Sequence, residues 1–563
     1  MGESMRHSRS WISIAFAAAL FVQPLAASAE TQTQSSSPDR TPNLVVGIVV
    51  DQMRLDTLYR FWHRFGDDGF RKLFDEGFSF ENASFDYMPT FTAPGHASIY
   101  TGTTPAVHGI LANAWYVREL KQTTYVTDDP SVSAVGSESQ ASRMSPRWML
   151  TTTIGDELWM HTNERAKVIG LALKDRSAIL PASHTGAAYW LDESTGRFVT
   201  STWYRDELPD WLKEFNARGL TERYLAQPWE PLLPLEEYVE SLPDDNPYEV
   251  PFAGEDRPVF PHDLPTLARA RGFGLVAYTP FGDELLTELA LAALDGESLG
   301  RRDVPDLLSI SYSAPDNIGH RFGPMSVEVQ DTYLRLDRQI ARLLGELEKR
   351  YGRDVLVFLT SDHGTGHVPG YLADRSIPVG EFRDRAVGEA LRRFVEERYG
   401  DADLIEAFHN QQVFLDRERL RAAGIDRRRI EEDIAHFLLE QEGVAGAITG
   451  TALRFGSFSD PHRARLQRGF HPRRSGDVVV WMEPHWISDF GGRVAAMHGS
   501  PFSYDTRVPL VWYGWTVPAG RTTEPVHITD IAPTLAVFLR TPFPSGTTGT
   551  PINHLMRPAA LAK

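Results

Sequence analysis

Six side chains of the kinds that bind borderline metal ions stand in short, turn-like contexts. Asp51 lies in Val-Val-Asp-Gln-Met, Asp316 and His320 in Ala-Pro-Asp-Asn-Ile-Gly-His, Asp362 and His363 in Thr-Ser-Asp-His-Gly-Thr-Gly, and His498 in Ala-Met-His-Gly-Ser-Pro. The chain contains no cysteine, so any metal site must be built from imidazole and carboxylate, a donor set that favours zinc over manganese or magnesium. A hydroxyl of a different kind, Thr92, sits in Pro-Thr-Phe-Thr-Ala-Pro-Gly-His, just ahead of a small-residue run that predicts a helix start. Backbone N–H groups at a helix N-terminus suit an anion such as phosphate, which makes Thr92 the expected nucleophile. Taken alone, such a threonine is more often a plain helix cap. His96, His108 and His367 are set aside as structural. His367 is the nearest rival, but the Gly-rich segment that separates it from His363 is not helical and would not put the two on one face.

Strands must bring these residues together. Leu44–Val50 is a continuous apolar, β-branched run that ends at Asp51, the pattern of a strand buried on both faces of a parallel sheet. The run 306–312 leads to Asp316, 355–360 leads to Asp362 and His363, and 477–481 repeats the pattern after a basic turn. In open α/β sheets ligands bind beyond the carboxyl ends of the strands, where these polar residues fall. Ala166–Leu173 likewise leads to Lys174 and Arg176, and alternate pointing would aim both the same way. Between the strands, apolar residues at spacings of three and four predict a helix over Ser326–Arg350. The expected class is α/β: a mostly parallel sheet sandwiched by helices, with inserted cap subdomains. One insertion is expected at about 175–265, starting with a hairpin of 187–192 and 197–204 and roofing the site. A second, rich in Arg and Glu, is expected at about 380–475.

The formal net charge of −18 argues against nucleic acid or acidic membranes as partners, so an anionic ligand needs a local positive site. A basic start, an apolar run from Trp11 to Val22 and Ala-Ser-Ala at 27–29 predict a secretory signal peptide over 1–29. A polar leader over 30–40 and a catalytic domain over 41–563 follow. No later run is apolar enough to span a bilayer, so the mature protein is expected in the periplasm or outside the cell, with no stable membrane insertion.

Together these motifs resemble the alkaline phosphatase superfamily, in the branch that holds nucleotide pyrophosphatase/phosphodiesterases and PafA-type periplasmic alkaline phosphatases. The resemblance runs from Val45 to about Leu539, including the closing His-Ile-Thr-Asp-Ile-Ala-Pro-Thr segment. It implies two zinc ions, one held by Asp316, His320 and His498, the other by Asp51, Asp362, His363 and the Thr92 oxygen. It also prefers Thr92 to Thr90 as nucleophile and assigns Asn113 to a phosphoryl oxygen. Two zinc ions are balanced by three aspartates and an ionised Thr92. A phosphate monoester dianion then needs two further positive charges, which Lys174 and Arg176 supply; a diester, with one charge, does not. The resemblance therefore implies a phosphomonoesterase acting on small phosphate esters through a phosphothreonine. The alternative is a phosphodiesterase or nucleotide pyrophosphatase of the same superfamily. A sulfatase is disfavoured because its matured Cys or Ser is replaced by Thr. A silent binding protein is disfavoured because binding needs neither two metals nor a placed hydroxyl.

Overall fold

The strand Leu44–Val50 lies at the centre of the molecule and is buried at every position. Its side chains alternate between faces. Leu44, Val46, Ile48 and Val50 enter one apolar cluster, and Val45 and Val49 enter another on the opposite face. On one side it pairs in parallel with Val355–Thr360, on the other with Asp306–Tyr312. Val168–Ala172 extends the parallel set next to Asp306–Tyr312, and Ala187–Asp192 follows it. Antiparallel pairings follow on both flanks, with Arg507–Gly514 and then Phe78–Ser84 on one and Arg197–Ser201 on the other, and short edge strands lie beyond them. The result is an eleven-stranded, mostly parallel sheet. The computed structural model describes residues 40–139, 142–488 and 494–556, so the signal peptide and nearly all of the leader lie outside the described residues.

Helices cover both faces. Pro280–Gly296, Ala314–Phe322 and Val327–Tyr351 pack with the first cluster, while Ile154–His161 and Ile531–Leu539 pack with the second. The long helix expected over Ser326–Arg350 is Val327–Tyr351. Ser326 caps it by accepting a hydrogen bond from the Val329 N–H at 3.1 Å.

Three expectations change. The run 477–481 does not join the large sheet: Val478–Met482 lies between Gln412–Leu415 and Val444–Thr449 in a separate four-stranded antiparallel sheet. An apolar run reports burial on two faces, and here helix Arg427–Leu439 and the Leu466–Phe470 region supply those faces. This second lobe accordingly continues past 475, to Trp486–Ser488, which pairs with Gly380–Phe382. The insertion expected at 175–265 starts late as well. Helix Asp175–Ala182 and strands Ala187–Asp192 and Arg197–Ser201 belong to the main sheet and its helix layer, and only the chain after Ser201 leaves it. That later segment packs on the long helix rather than mainly over the strand ends. Asp331 accepts hydrogen bonds from Trp229 Nε1 (2.7 Å), the Leu232 N–H (2.6 Å) and Tyr238 Oη (2.6 Å).

Candidate active site

Four neighbouring parallel strands, 355–360, 44–50, 306–312 and 168–172, end on the same side of the sheet. Their carboxyl ends carry Asp362 and His363, Asp51, Asp316 and Lys174 in that order. His320 sits one helical turn after Asp316 on Ala314–Phe322, with its Nε2 3.1 Å from Asp316 Oδ1. His498 comes from a distant loop and brings its Nε2 to 3.7 Å from the same oxygen. His363 Nε2 lies 3.4 Å from Asp51 Oδ1 and 3.6 Å from Asp362 Oδ2. Two sets therefore place ligand atoms within 4.8 Å of one another: Asp316, His363 and His498, and Asp51, Asp362 and His363.

The three histidines share one arrangement. His320 Nδ1 is 2.7 Å from the Ala496 carbonyl, His498 Nδ1 is 2.7 Å from the Thr90 carbonyl, and His363 Nδ1 is 3.0 Å from the Gly364 carbonyl. In His363 and His498, donating Nδ1–H to a backbone carbonyl fixes the tautomer and leaves Nε2 with a lone pair, the usual outer support of a metal ligand. Burial would lower His320, but the Asp316 carboxylate outweighs it and raises the ring above its ordinary range. Burial holds His363 down to about 3, and burial reinforced by His363 pushes His498 well below the ordinary range, so both are neutral imidazoles. Among the described residues the buried Asp51 Oδ1, Asp362 Oδ2 and His363 Nε2 have no hydrogen-bond partner. Stranded acceptors at the convergence of three carboxylates are costly unless a cation joins them. Imidazole and carboxylate donors suit a borderline metal ion, and the first of these sets holds His363 where the sequence implied His320.

Lys174 partly meets that demand: its Nζ is 2.6 Å from Asp51 Oδ2 and 2.5 Å from Asp316 Oδ2. Burial raises Asp316, but His320 and Lys174 outweigh it and hold its carboxyl well below the usual range. Asp362 is pushed well above that range by burial and by Asp51.

Thr92 opens the helix Thr92–Thr101, every residue of which is buried. The N-cap position belongs to Phe91, so Thr92 is the first residue of the helix rather than its cap. The helix start is pinned against the strand ends. A Cβ on Gly95 would stand 2.3 Å from the Asp362 carbonyl oxygen, so only glycine lets the helix come this close. His96, set aside from the sequence as structural, bridges the Thr92 carbonyl at Nδ1 and Ser311 Oγ at Nε2, both at 2.9 Å. His108 is likewise engaged, with Ser98 Oγ 3.0 Å from its Nε2. His367 belongs to neither ligand set and lines a neighbouring cavity. Asn113 Oδ1 accepts from the Ala93 N–H at 2.9 Å, which orients the amide and leaves its NH2 group for other acceptors.

Lys174 and Arg176 do not lie on a strand, as alternate pointing supposed. The strand stops at Ala172, Lys174 is the N-cap of helix Asp175–Ala182, and Arg176 is in that helix's first turn. Arg176 donates to Tyr125 Oη at 2.9 Å, while its buried Nε has no partner. Gln52 is a residue the sequence reading missed. Its backbone has a φ of 67°, its Nε2 donates to Asp316 Oδ1 at 2.7 Å, and its N–H donates to Asp362 Oδ1 at 3.2 Å. It ties the two halves of the carboxylate cluster together. Its only sequence signal is its place next to Asp51, because a left-handed backbone at a non-glycine residue leaves no mark.

Comparison with known proteins gives the same picture. The model of the type I phosphodiesterase / nucleotide pyrophosphatase family matches residues 45–501. Alkaline phosphatase PafA of Elizabethkingia meningoseptica is 38% identical over 520 residues, covering 92% of this chain and 94% of that protein. A protein of Myroides odoratus named calcium-transporting ATPase is 42% identical over 517 residues (91% and 94%). The crystal structure of wild-type PafA superposes with a TM-score of 0.88 at 37% identity, covering 92% of this chain and 99% of that one. A PafA variant with a threonine changed to serine and an asparagine, a lysine and an arginine changed to alanine superposes equally well.

Proposed function

Because the chain belongs to the type I phosphodiesterase / nucleotide pyrophosphatase family and within it is a PafA-type alkaline phosphatase, we propose that it hydrolyses phosphate monoesters through a phosphothreonine at Thr92, with two zinc ions held by the residues above. The observation that carries the reading is the convergence of Asp51, Asp316, Asp362, His363 and His498 at strand ends against which the buried helix that Thr92 opens is packed. Two bound zinc ions would supply the positive charge that stabilises the attacking and leaving oxygens of an in-line displacement. Thr92 Oγ attacks phosphorus, gives up its proton, and the bond to the ester oxygen breaks to release the alcohol. Water then attacks the phosphothreonine, returns the threonine hydroxyl and releases inorganic phosphate.

The chain's own residues do the positioning. His320, His363 and His498 keep their Nε2 atoms aimed inward through their Nδ1–H bonds to backbone. The Asn113 amide donates to a phosphoryl oxygen, and Lys174 and Arg176 match the second negative charge of a monoester. In support, the PafA variant replaces these four residue types, with the same spacing between threonine and asparagine and one residue between lysine and arginine. The basic and apolar start of the sequence supports export to the periplasm or beyond. Among the described residues no helix is long and apolar enough to cross a membrane.

Replacing Thr92→Ala tests the nucleophile. Turnover of an aryl phosphate should fall by at least about three orders of magnitude, as when a covalent nucleophile is lost. Acid-quenched wild-type protein given radiolabelled substrate should carry label on threonine, and the variant none. Label retained by the variant would overturn the assignment.

A further inference from the structure

A cavity of about 310 Å³ opens beside His498, between the catalytic sheet and the second lobe. From the catalytic side it is lined by Phe91, the residue before Thr92, and by Tyr504; from the second lobe come Phe408, Met482 and Trp486. Phe91 and His498 meet edge to face at 5.6 Å, so the apolar wall runs directly into the metal-ligand cluster. Its far side is the tip of the hairpin joining Ile405–His409 to Gln412–Leu415. There Asn410 and Gln411 both take left-handed backbone, with φ of 50° and 54°. Asn or Gly is the ordinary choice for such a turn, and glutamine is not. Both amides spend an NH2 donor within the protein, Asn410 on the Ala114 carbonyl (2.7 Å) and Gln411 on Ser488 Oγ (2.8 Å). Those bonds orient the amides and leave their carbonyl oxygens as acceptors at the cavity's edge.

We propose that this cavity is the leaving-group subsite of the phosphatase, built for an alcohol that carries a flat aromatic ring system. The inference rests on the monoesterase reading above, since it takes the phosphoryl group to sit at Thr92. An aromatic face is recognised by edge and stacking contacts with Phe91, Phe408, Trp486 and Tyr504, and donors on the ring's edge by the Asn410 and Gln411 carbonyls. The volume lies at the small end of the range for organic ligands and matches one ring system rather than an extended chain. The second lobe thus acts as one wall of a specificity pocket.

Two substrate pairs test it, each sharing a primary alkoxide so that the intrinsic difficulty of the chemistry is matched: adenosine 5′-monophosphate against ribose 5-phosphate, and benzyl phosphate against propyl phosphate. The aromatic member of each pair should have the higher kcat/KM, by about tenfold or more, the effect of burying a ring. A preference in both pairs identifies any aromatic alcohol as ligand. A preference in the nucleoside pair alone assigns the site to a nucleobase recognised through its ring-edge donors. In Phe408→Ala and in Asn410→Ala the aromatic-to-aliphatic ratio should collapse toward one. Inhibition by inorganic phosphate, which lacks the leaving group, and the melting temperature show in parallel that the phosphoryl site and fold survive. Equal kcat/KM within both pairs in the wild type overturns the subsite and leaves the phosphatase reading standing. Absence of turnover on all four esters overturns the phosphatase reading itself.

Discussion

At the residue scale, the site depends on close approach as much as on its ligands. Asp51, Asp316, Asp362, His363 and His498, which the fold brings together, were legible because each combines a metal-binding side chain with a strand end or a turn. Gln52 was not, because its role comes from a left-handed backbone and from two carboxylates far away in sequence. Gly95 shows the constraint most sharply. A methyl group there meets main-chain atoms of Asp362, which no side-chain rotation relieves. Gly95→Ala should therefore push the helix start away from the strand end and displace Thr92. The expected cost is about 1–3 kcal/mol of stability, as for other overpacked positions, with a loss of kcat/KM larger than tenfold. A thermal melt and steady-state kinetics on the same preparation check it. An alanine variant with wild-type values of both would mean that the helix does not need this contact.

At the element scale, the helix Val327–Tyr351 was legible from its periodicity, but what rests on its outer end was not. Near its first turn, Glu328 is buried with neither carboxylate oxygen hydrogen-bonded, and Glu249 of the inserted segment is buried alongside it. His262 lies between Glu255 and Glu328, with Nδ1 2.9 Å from Glu255 Oε1 and Nε2 3.4 Å from Glu328 Oε1. Burial, and then Glu328, push the Glu249 carboxyl far above its usual range. A carboxyl whose folded value is raised stays protonated in the fold after the unfolded chain has lost its proton. Stability is therefore full below the ordinary carboxylate range and falls as pH rises from there toward the folded value. The melting temperature should drop between pH 5 and pH 9, and Glu249→Gln, neutral throughout, should reduce that drop. An identical drop in both proteins would show that Glu249 does not couple folding to pH.

At the scale of the whole molecule, the sequence resolved the parallel core better than the second lobe. Four apolar runs buried on both faces identify central strands wherever they occur, and three of them line up as expected. The fourth, Val478–Met482, carries the same pattern but pairs elsewhere, because strand partners are chosen by contacts distant in the chain. The lobe it builds is not peripheral. Asp477 joins Arg118 Nη2 at 2.6 Å, and Arg468 donates to the Asp86 carbonyl at 2.6 Å. These contacts clamp the lobe onto the stretch that carries Thr92 and Asn113. The basic pair was legible as a pair, though its position at a helix start rather than along a strand was not.

That pair bears the central claim, since the proposed nucleophile and metal ligands would serve monoesters and diesters alike. The direct measurement is kcat/KM for an aryl phosphate and for its methyl diester, in the wild type and in a Lys174→Ala/Arg176→Ala double variant. Each lost charged contact costs about 1.5–3 kcal/mol, roughly tenfold to a hundredfold. The wild type should favour the monoester, and the double variant should lose monoester activity by orders of magnitude while the diester changes far less. Equal losses on both esters, or a wild type that prefers the diester, would contradict the account.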